Sequence, residues 1–262
     1  MLLIDKYAYI NRLKQVHPLE KTILSLSLLL FSLLVRDILV ALITFIVMSS
    51  LIIFAAKIPV FYYAKLLILP GVFLLSSVFT ILIHFTKGNV FPTDICWSSP
   101  IGDWQIFISE ESFWTSVKLV VVVLSGISSL YFLTLTTPIT DLLMVLRKLK
   151  LPILLIELIE LTYRYVFIFI ETALDIYQSQ NARLGYSTIR RGIHSFGYLI
   201  SVLFVSVFQR SKQLTMAMDA RGYQEHIPSY ENTYHLSPIN WCIIIGIQVS
   251  VLFIYLNSWR LL

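Results

Sequence analysis

The sequence predicts an all-α polytopic membrane protein, with about five transmembrane helices and long amphipathic helices on the cytoplasmic side. Three observations predict it. Apolar residues make up 57% of the chain against 13% charged, and the mean hydropathy is +0.80, well beyond soluble averages. Apolar runs approaching the roughly 20 residues of a span recur through the first half and once near the carboxy end. Between them, residues 137–223 carry polar side chains at helical spacing, separated by endings rich in Arg and Gly.

Met1 to Lys21 mixes apolar, aromatic and charged residues without a signal-peptide cleavage site, so it is expected to be retained. Thr22–Val35 is the first apolar run, followed by Arg36-Asp37 and a second run, Ile38–Ala56. The first is short for a span and must borrow Pro18 and Leu19 or tilt little. One continuous helix through Arg36-Asp37 is the competing reading. Lys57–Lys65 reads as a short loop with Pro59 and a Tyr62-Tyr63 pair suited to the headgroup level. Leu66–Phe85 is a third span, interrupted at Pro70-Gly71, and Lys87–Glu111 a loop holding Asp94, Asp103, Glu110 and Glu111 against Lys87 alone. Phe113–Leu135 is a fourth span, with Lys118 near enough to its end to snorkel. Ile239–Leu256 is the last. The expected division is residues 1–135 as transmembrane region, 136–238 as cytoplasmic region and 239–262 as final transmembrane helix.

Positive charge orients this map. Lys6, Arg12, Lys14 and Lys21 precede the first span, Lys57 and Lys65 lie between the second and third, and most other Lys and Arg lie between the fourth and fifth. Those segments belong inside and the acidic loop outside, with the amino terminus in and the carboxy terminus out. The net charge of +5 therefore reports topology. No basic block is dense enough to track phosphates, so no nucleic acid is expected as partner.

The central stretch divides into three helical segments. The first opens at Thr137-Pro138, read as a hydroxyl cap and a proline at the first helical position. Arg147, Lys148 and Lys150 crowd its last turn, and Pro152 breaks it. The second, from Pro152 to about Arg183, places Glu157, Glu160, Arg164, Glu171, Asp175 and Gln178 in one polar stripe. Each carboxylate would cost about 2.5–3.5 kcal/mol at a bilayer centre, so this helix is expected along the inner face rather than across the membrane. The third begins near Gly192 and finishes in Met216-Ala217-Met218-Asp219-Ala220-Arg221-Gly222-Tyr223. Two of the three thus end in Ala-Arg, at Ala182-Arg183 and Ala220-Arg221. Arginine before a C-terminal glycine is a common helix ending; its duplication on consecutive long helices is the feature that points to docking. A guanidinium presented this way fits a carboxylate-lined groove in bidentate fashion, which lysine would not reproduce.

Several chemistries lack their parts. There is no G-x-x-x-x-G-K-[ST] loop for nucleotide phosphates, no G-x-S-x-G elbow and no H-E-x-x-H pair. The assigned spans hold no Asp or Glu for ion coupling, and His84 is the one histidine within them. His17, His194, His226 and His235 show no metal-ligand spacing, and Cys96 and Cys242 form no framework. No enzyme activity, cofactor or bound metal is expected.

At these residues the sequence resembles the T component, the CbiQ/EcfT family, of energy-coupling factor (ECF) transporters. The resemblance spans nearly the whole chain: His17-Pro18 with Lys21, Leu135-Thr136-Thr137-Pro138 leading to Asp141-Leu142-Leu143, the Leu151-Pro152 break, Thr162-Tyr163-Arg164-Tyr165, and the two arginine endings. It implies a subunit of an ABC-type importer in a bacterial or archaeal cell membrane. Coupling helices would dock their ends on two ABC ATPase subunits and pass movement to a separate substrate-binding membrane (S) component. Carried over by position, the ATPase-coupling residues are Ala182, Arg183 and Gly185, and Ala220, Arg221 and Gly222. The first motif departs from the pattern, reading Ala-Arg-Leu with glycine only at Gly185, which predicts a helix end one residue later and a different setting for Arg183. The wording is similar to the cobalt branch, with a nickel or vitamin system as the alternative and a membrane scaffold as the reading from another class.

Overall fold

The computed structural model describes residues 3–87, 95–101, 104–222, 234 and 236–261. The chain forms two compact units, one of Leu2–Asp141 with Thr233–Leu262, the other Leu142–Asn232. It is an all-α polytopic architecture with one small sheet between two of its helices.

The first unit begins with a short amphipathic helix, α1 (Leu3–Ile10), and a 3-10 turn at Arg12–Gln15. Helix α2 (Pro18–Val35) starts with proline at its first position, where His17 Nδ1 accepts the Leu19 N–H at 3.1 Å. It does borrow Pro18 and Leu19. Arg36 then adopts a left-handed conformation (φ 50°), and the Asp37 carboxylate caps α3 (Ile38–Ser50) by accepting the Leu39 N–H at 3.0 Å. Arg36-Asp37 is therefore a break with a cap on each side, not the middle of one helix. Helix α3 runs on through a π turn, Leu51–Ala55, and stops at Lys57 (φ 55°).

Helix α4 (Val60–Leu82) starts earlier than the sequence suggested and continues through Pro70, so Tyr62 and Tyr63 lie in its first turn rather than in a loop. Its end at Leu82 leaves His84 outside the span. Where the sequence suggested only a loop, the described residues form β1 (His84–Lys87), β2 (Ile95–Ile101) and β3 (Trp104–Ser109) in an antiparallel sheet of order β1-β3-β2. Asp94 and Asp103 lie outside the described residues. Helix α5 (Glu110–Thr136) follows, and the unit closes with α9 (Pro238–Leu261).

Helix α5 is the centre of this unit, packing against α1, α2, α3 and α4. Small hydroxyl residues let the backbones approach: Ser25, Ser32, Ser125, Ser128 and Ser129 are all fully buried. Ser25 Oγ donates to the Ser129 carbonyl at 2.7 Å, and the Ser32 and Ser125 hydroxyls bond to each other. Gln248 of α9 donates to Ser27 Oγ at 2.7 Å, which satisfies a polar side chain in mid-helix. Val40, Met48, Ile52 and Leu135 fill the apolar core.

Helix α6 (Ile139–Lys148) leads into the second unit, and the predicted cap on it is not made. Thr137 Oγ1 is buried without a hydrogen-bond partner, while the Thr137 N–H closes α5 by donating to the Leu133 carbonyl at 3.0 Å. Thr137 belongs to the end of one helix, not the start of the next. Helices α7 (Ile153–Ala182) and α8 (Ile189–Ala220) are the long pair, at 30 and 32 residues, and they pack on each other. Arg210 reaches Thr172 Oγ1 at 3.5 Å across that contact. Along α7, Glu157 is buried while Arg164, Glu171, Asp175 and Gln178 are exposed.

Among the described residues, six helices are long and apolar enough to cross a membrane by length and composition. Five match the expected spans: α2, α3 with its π turn, α4, α5 and α9. The sixth is α8, whose apolar middle from Phe196 to Phe208 gives it a span-like composition, whereas α7 does not reach that threshold.

Candidate functional site

The two Ala-Arg endings adopt one geometry. Helix α7 stops at Ala182 and Arg183 is its last half-helical residue (φ −91°, ψ 16°); helix α8 stops at Ala220 and Arg221 has φ −91°, ψ 3°. The next residue turns left-handed in both, Leu184 at φ 59° and Gly222 at φ 72°. Behind the first ending, the Leu184 N–H donates to the Asn181 carbonyl at 2.9 Å and the Gly185 N–H to the Gln180 carbonyl at 2.9 Å, the paired bonds of a Schellman ending. Behind the second, the Gly222 N–H donates to the Asp219 carbonyl at 3.0 Å. The helix end expected one residue later is thus corrected. Leucine takes the position that glycine takes in the second motif, because the carbonyls left over at a helix end are satisfied only if the chain turns there.

Ala182, Arg183, Leu184, Ala220, Arg221 and Gly222 are all exposed. Each arginine follows an alanine, so no bulky neighbour on the preceding residue shields its base. Tyr223, the last residue of the second motif, lies outside the described residues.

Gly185 is different in kind from Gly222. A side chain there would meet Ser195 Oγ at 2.7 Å and the Gln180 carbonyl oxygen at 2.9 Å. Ser195 Oγ donates to the Gly185 carbonyl at 2.9 Å, Gln180 Nε2 donates to the Ser195 carbonyl at 3.0 Å, and the Tyr186 hydroxyl donates to Gln180 Oε1 at 2.8 Å. The Tyr186 ring also packs at a tilt against Tyr177, with ring centroids 4.8 Å apart. This network ties the end of α7 to the first turns of α8, so the Gly185 position is set by packing inside the unit.

A second constellation escaped the sequence reading. Glu20 and Lys21 open α2 and are 1% and 3% exposed, which makes them buried charges in need of partners. Lys21 Nζ donates to the Thr136 carbonyl at 2.9 Å and the Leu13 carbonyl at 3.2 Å, placing a cation on the C-terminus of α5. The Asn11 amide donates to the Leu135 and Thr136 carbonyls at 3.2 and 3.3 Å. Glu20 faces the opposite kind of helix end. Its oxygens accept the Ser237 N–H at 3.1 Å and the Asn240 amide at 2.7 Å, an anion on the N-terminus of α9. Close by, buried Asp141 accepts the Tyr234 hydroxyl at 2.8 Å, and the rings of Tyr234 and His17 lie 6.0 Å apart. Two consecutive residues of α2 therefore cap two other helices of opposite polarity. Glu20 also corrects the expectation of carboxylate-free spans, since it lies in the first turn of a helix long enough to cross. The available signal was the Glu20-Lys21 pair one residue after His17-Pro18.

Long apolar helices that can cross a bilayer, built around small hydroxyl contacts and carrying a matched pair of exposed arginine endings, define an all-α polytopic membrane protein. The family model described as cobalt transport protein, CbiQ, matches residues 11–230, and the chain belongs to that CbiQ/EcfT family of transport membrane proteins. An uncharacterised protein of Methanocaldococcus jannaschii is 32% identical over 230 residues, 86% of this chain and 82% of its own length. The cobalt transport protein CbiQ of Salmonella typhimurium is 26% identical over 228 residues, covering 84% and 96%. The energy-coupling factor transporter transmembrane protein EcfT of Bacillus subtilis is 32% identical over 158 residues, covering 56% and 57%.

Proposed function

We propose that this chain is the transmembrane coupling subunit of an ECF-type ABC importer for cobalt ions. It links ATP hydrolysis by two cytosolic ATPases to a separate substrate-binding membrane component. The observation that carries this reading is the shared geometry of the two helix endings, with Arg183 and Arg221 exposed at the same backbone setting on consecutive long helices. Two equal plugs suit two equal sockets, and each guanidinium brings a rigid fork of donors for a carboxylate groove. Residues 136–238 then form the cytoplasmic part, with the amino terminus inside, a reading supported by the distribution of Lys and Arg. Cobalt follows from the name of the Salmonella relative and from the family description.

The test is charge reversal. Arg221→Glu sharply lowers both co-purification of the ATPases and cobalt uptake, because a carboxylate facing a carboxylate groove repels. Given the matched backbone, Arg183→Glu has a comparable effect. Full uptake and an intact complex in the double variant would remove the proposal.

A further inference from the structure

The two arginine endings hold one backbone shape by different means. In the second, Gly222 makes the left-handed turn at φ 72°, which glycine does without strain, and among the described residues no side chain hydrogen-bonds to the last turn of α8. In the first, Leu184 makes the same turn at φ 59°, a conformation unfavourable for a residue with a Cβ. The first ending therefore needs a restraint that the second does without.

Gln180, three residues before Arg183, bonds to both sides of that turn. Its carbonyl accepts the Arg183 N–H at 3.2 Å and the Gly185 N–H at 2.9 Å. Its side-chain oxygen accepts the Tyr186 hydroxyl at 2.8 Å, and its amide nitrogen donates to the Ser195 carbonyl at 3.0 Å. A carbonyl can only accept, so Ser195 fixes which way the amide faces. Ser195 Oγ in turn donates to the Gly185 carbonyl at 2.9 Å, which closes a ring of bonds from the last turn of α7 into α8. Gln180 is half-buried and lies two residues past exposed Gln178, hence on the other side of α7 from the polar stripe.

We infer that Gln180 is the positioning residue for Arg183. Together with Tyr186 and Ser195 it holds the left-handed turn at Leu184 that the second ending obtains from glycine, and so it sets the direction in which the Arg183 guanidinium leaves the helix. This deepens the docking reading above and rests on it. It also accounts for the departure of the first motif from Ala-Arg-Gly: a side-chain clip keeps the turn, so position 184 does not need glycine.

The experiment uses the full chain in mild detergent, alone and with its ATPases. Protection of the amides of residues 183–185 is read by hydrogen exchange and mass spectrometry. It falls about tenfold in Gln180→Met, which keeps the side chain's length and loses two bonds, and about threefold in Tyr186→Phe, which loses one. Gln178→Met leaves it unchanged. Adding Leu184→Gly to Gln180→Met recovers about two- to fivefold, because glycine holds the turn without the clip. ATPase retention follows the same order, falling in Gln180→Met and recovering in the double variant. A residue that only fastened α7 to α8 would not be rescued by glycine in the turn. Unchanged protection in both Gln180→Met and Tyr186→Phe, or a loss that Leu184→Gly does not reverse, overturns the inference. So does retention that stays whole in Gln180→Met while Arg183→Glu lowers it. If Arg183→Glu leaves retention whole as well, the docking reading itself has failed, and the role assigned to Gln180 falls with it.

Discussion

Leu184 and Gly222 hold the same left-handed position at the ends of α7 and α8, and the difference between them is a matter of backbone energy. For an L-residue that conformation costs about 1–2 kcal/mol, while glycine's greater freedom in the unfolded chain takes back about 0.5–1 kcal/mol. Leu184 is 69% exposed and loses little burial if removed. Leu184→Gly should therefore raise stability by about 0.5–1 kcal/mol, read as a higher midpoint of thermal unfolding in detergent. Gly222→Ala meets no atom within 4 Å and should cost about 1 kcal/mol through conformation alone. A leucine kept where glycine is easier has a simple account at this scale: the turn is imposed by the Schellman bonds, and its residue is free to vary if the cost is met elsewhere.

At the scale of elements, the join between α7 and α8 and the join among α2, α5 and α9 are made differently. Gly185 lets α7 and α8 close around Ser195 and Gln180, where the Ser195 hydroxyl and the Gln180 backbone carbonyl crowd any added side chain. Gly185→Ala should cost about 1–3 kcal/mol by overpacking and separate the two helices, seen as faster proteolysis between residues 183 and 190 while α2 to α5 remain protected. Coupling should suffer in that variant even though both arginines are intact, because it is their mutual spacing that changes. The other join rests on charge. Glu20 and Lys21 are stabilised by helix ends of opposite sign, an arrangement that satisfies two buried ions without pairing them to each other. Sequence periodicity gave no hint of it, since periodicity reports which face of a helix is apolar and is silent on which other helix ends there.

Across the whole molecule, the distribution of basic residues makes a topological prediction. Single cysteines placed at Lys14, Lys57 and Arg190 should react with a membrane-impermeant maleimide only after the inner face is opened. One at Gln105 in β3 should react in intact cells. A cysteine at Arg190 that labels from outside would overturn the placement of residues 136–238 on the inner side. The apolar middle of α8 makes this the decisive position, because composition alone lets that helix cross.

By itself the sequence determined the class of fold, nearly all the helices, and the identity of the paired arginine endings. It could do so because apolar runs, caps and the Ala-Arg-Gly wording are local, and local free energies dominate whether a helix forms and stops. The structure bore out the division at Arg36-Asp37 over the competing single helix, and it decided that Thr137 closes one helix instead of opening the next. It also decided that Leu184 mimics Gly222, that Gly185 serves packing, and that Glu20, Lys21 and Asn11 cap helices far away in sequence. The capping by Glu20, Lys21 and Asn11 depends on where an unpaired carbonyl or N–H of one element meets a side chain of another, a fact of three-dimensional proximity that no one-dimensional pattern contains.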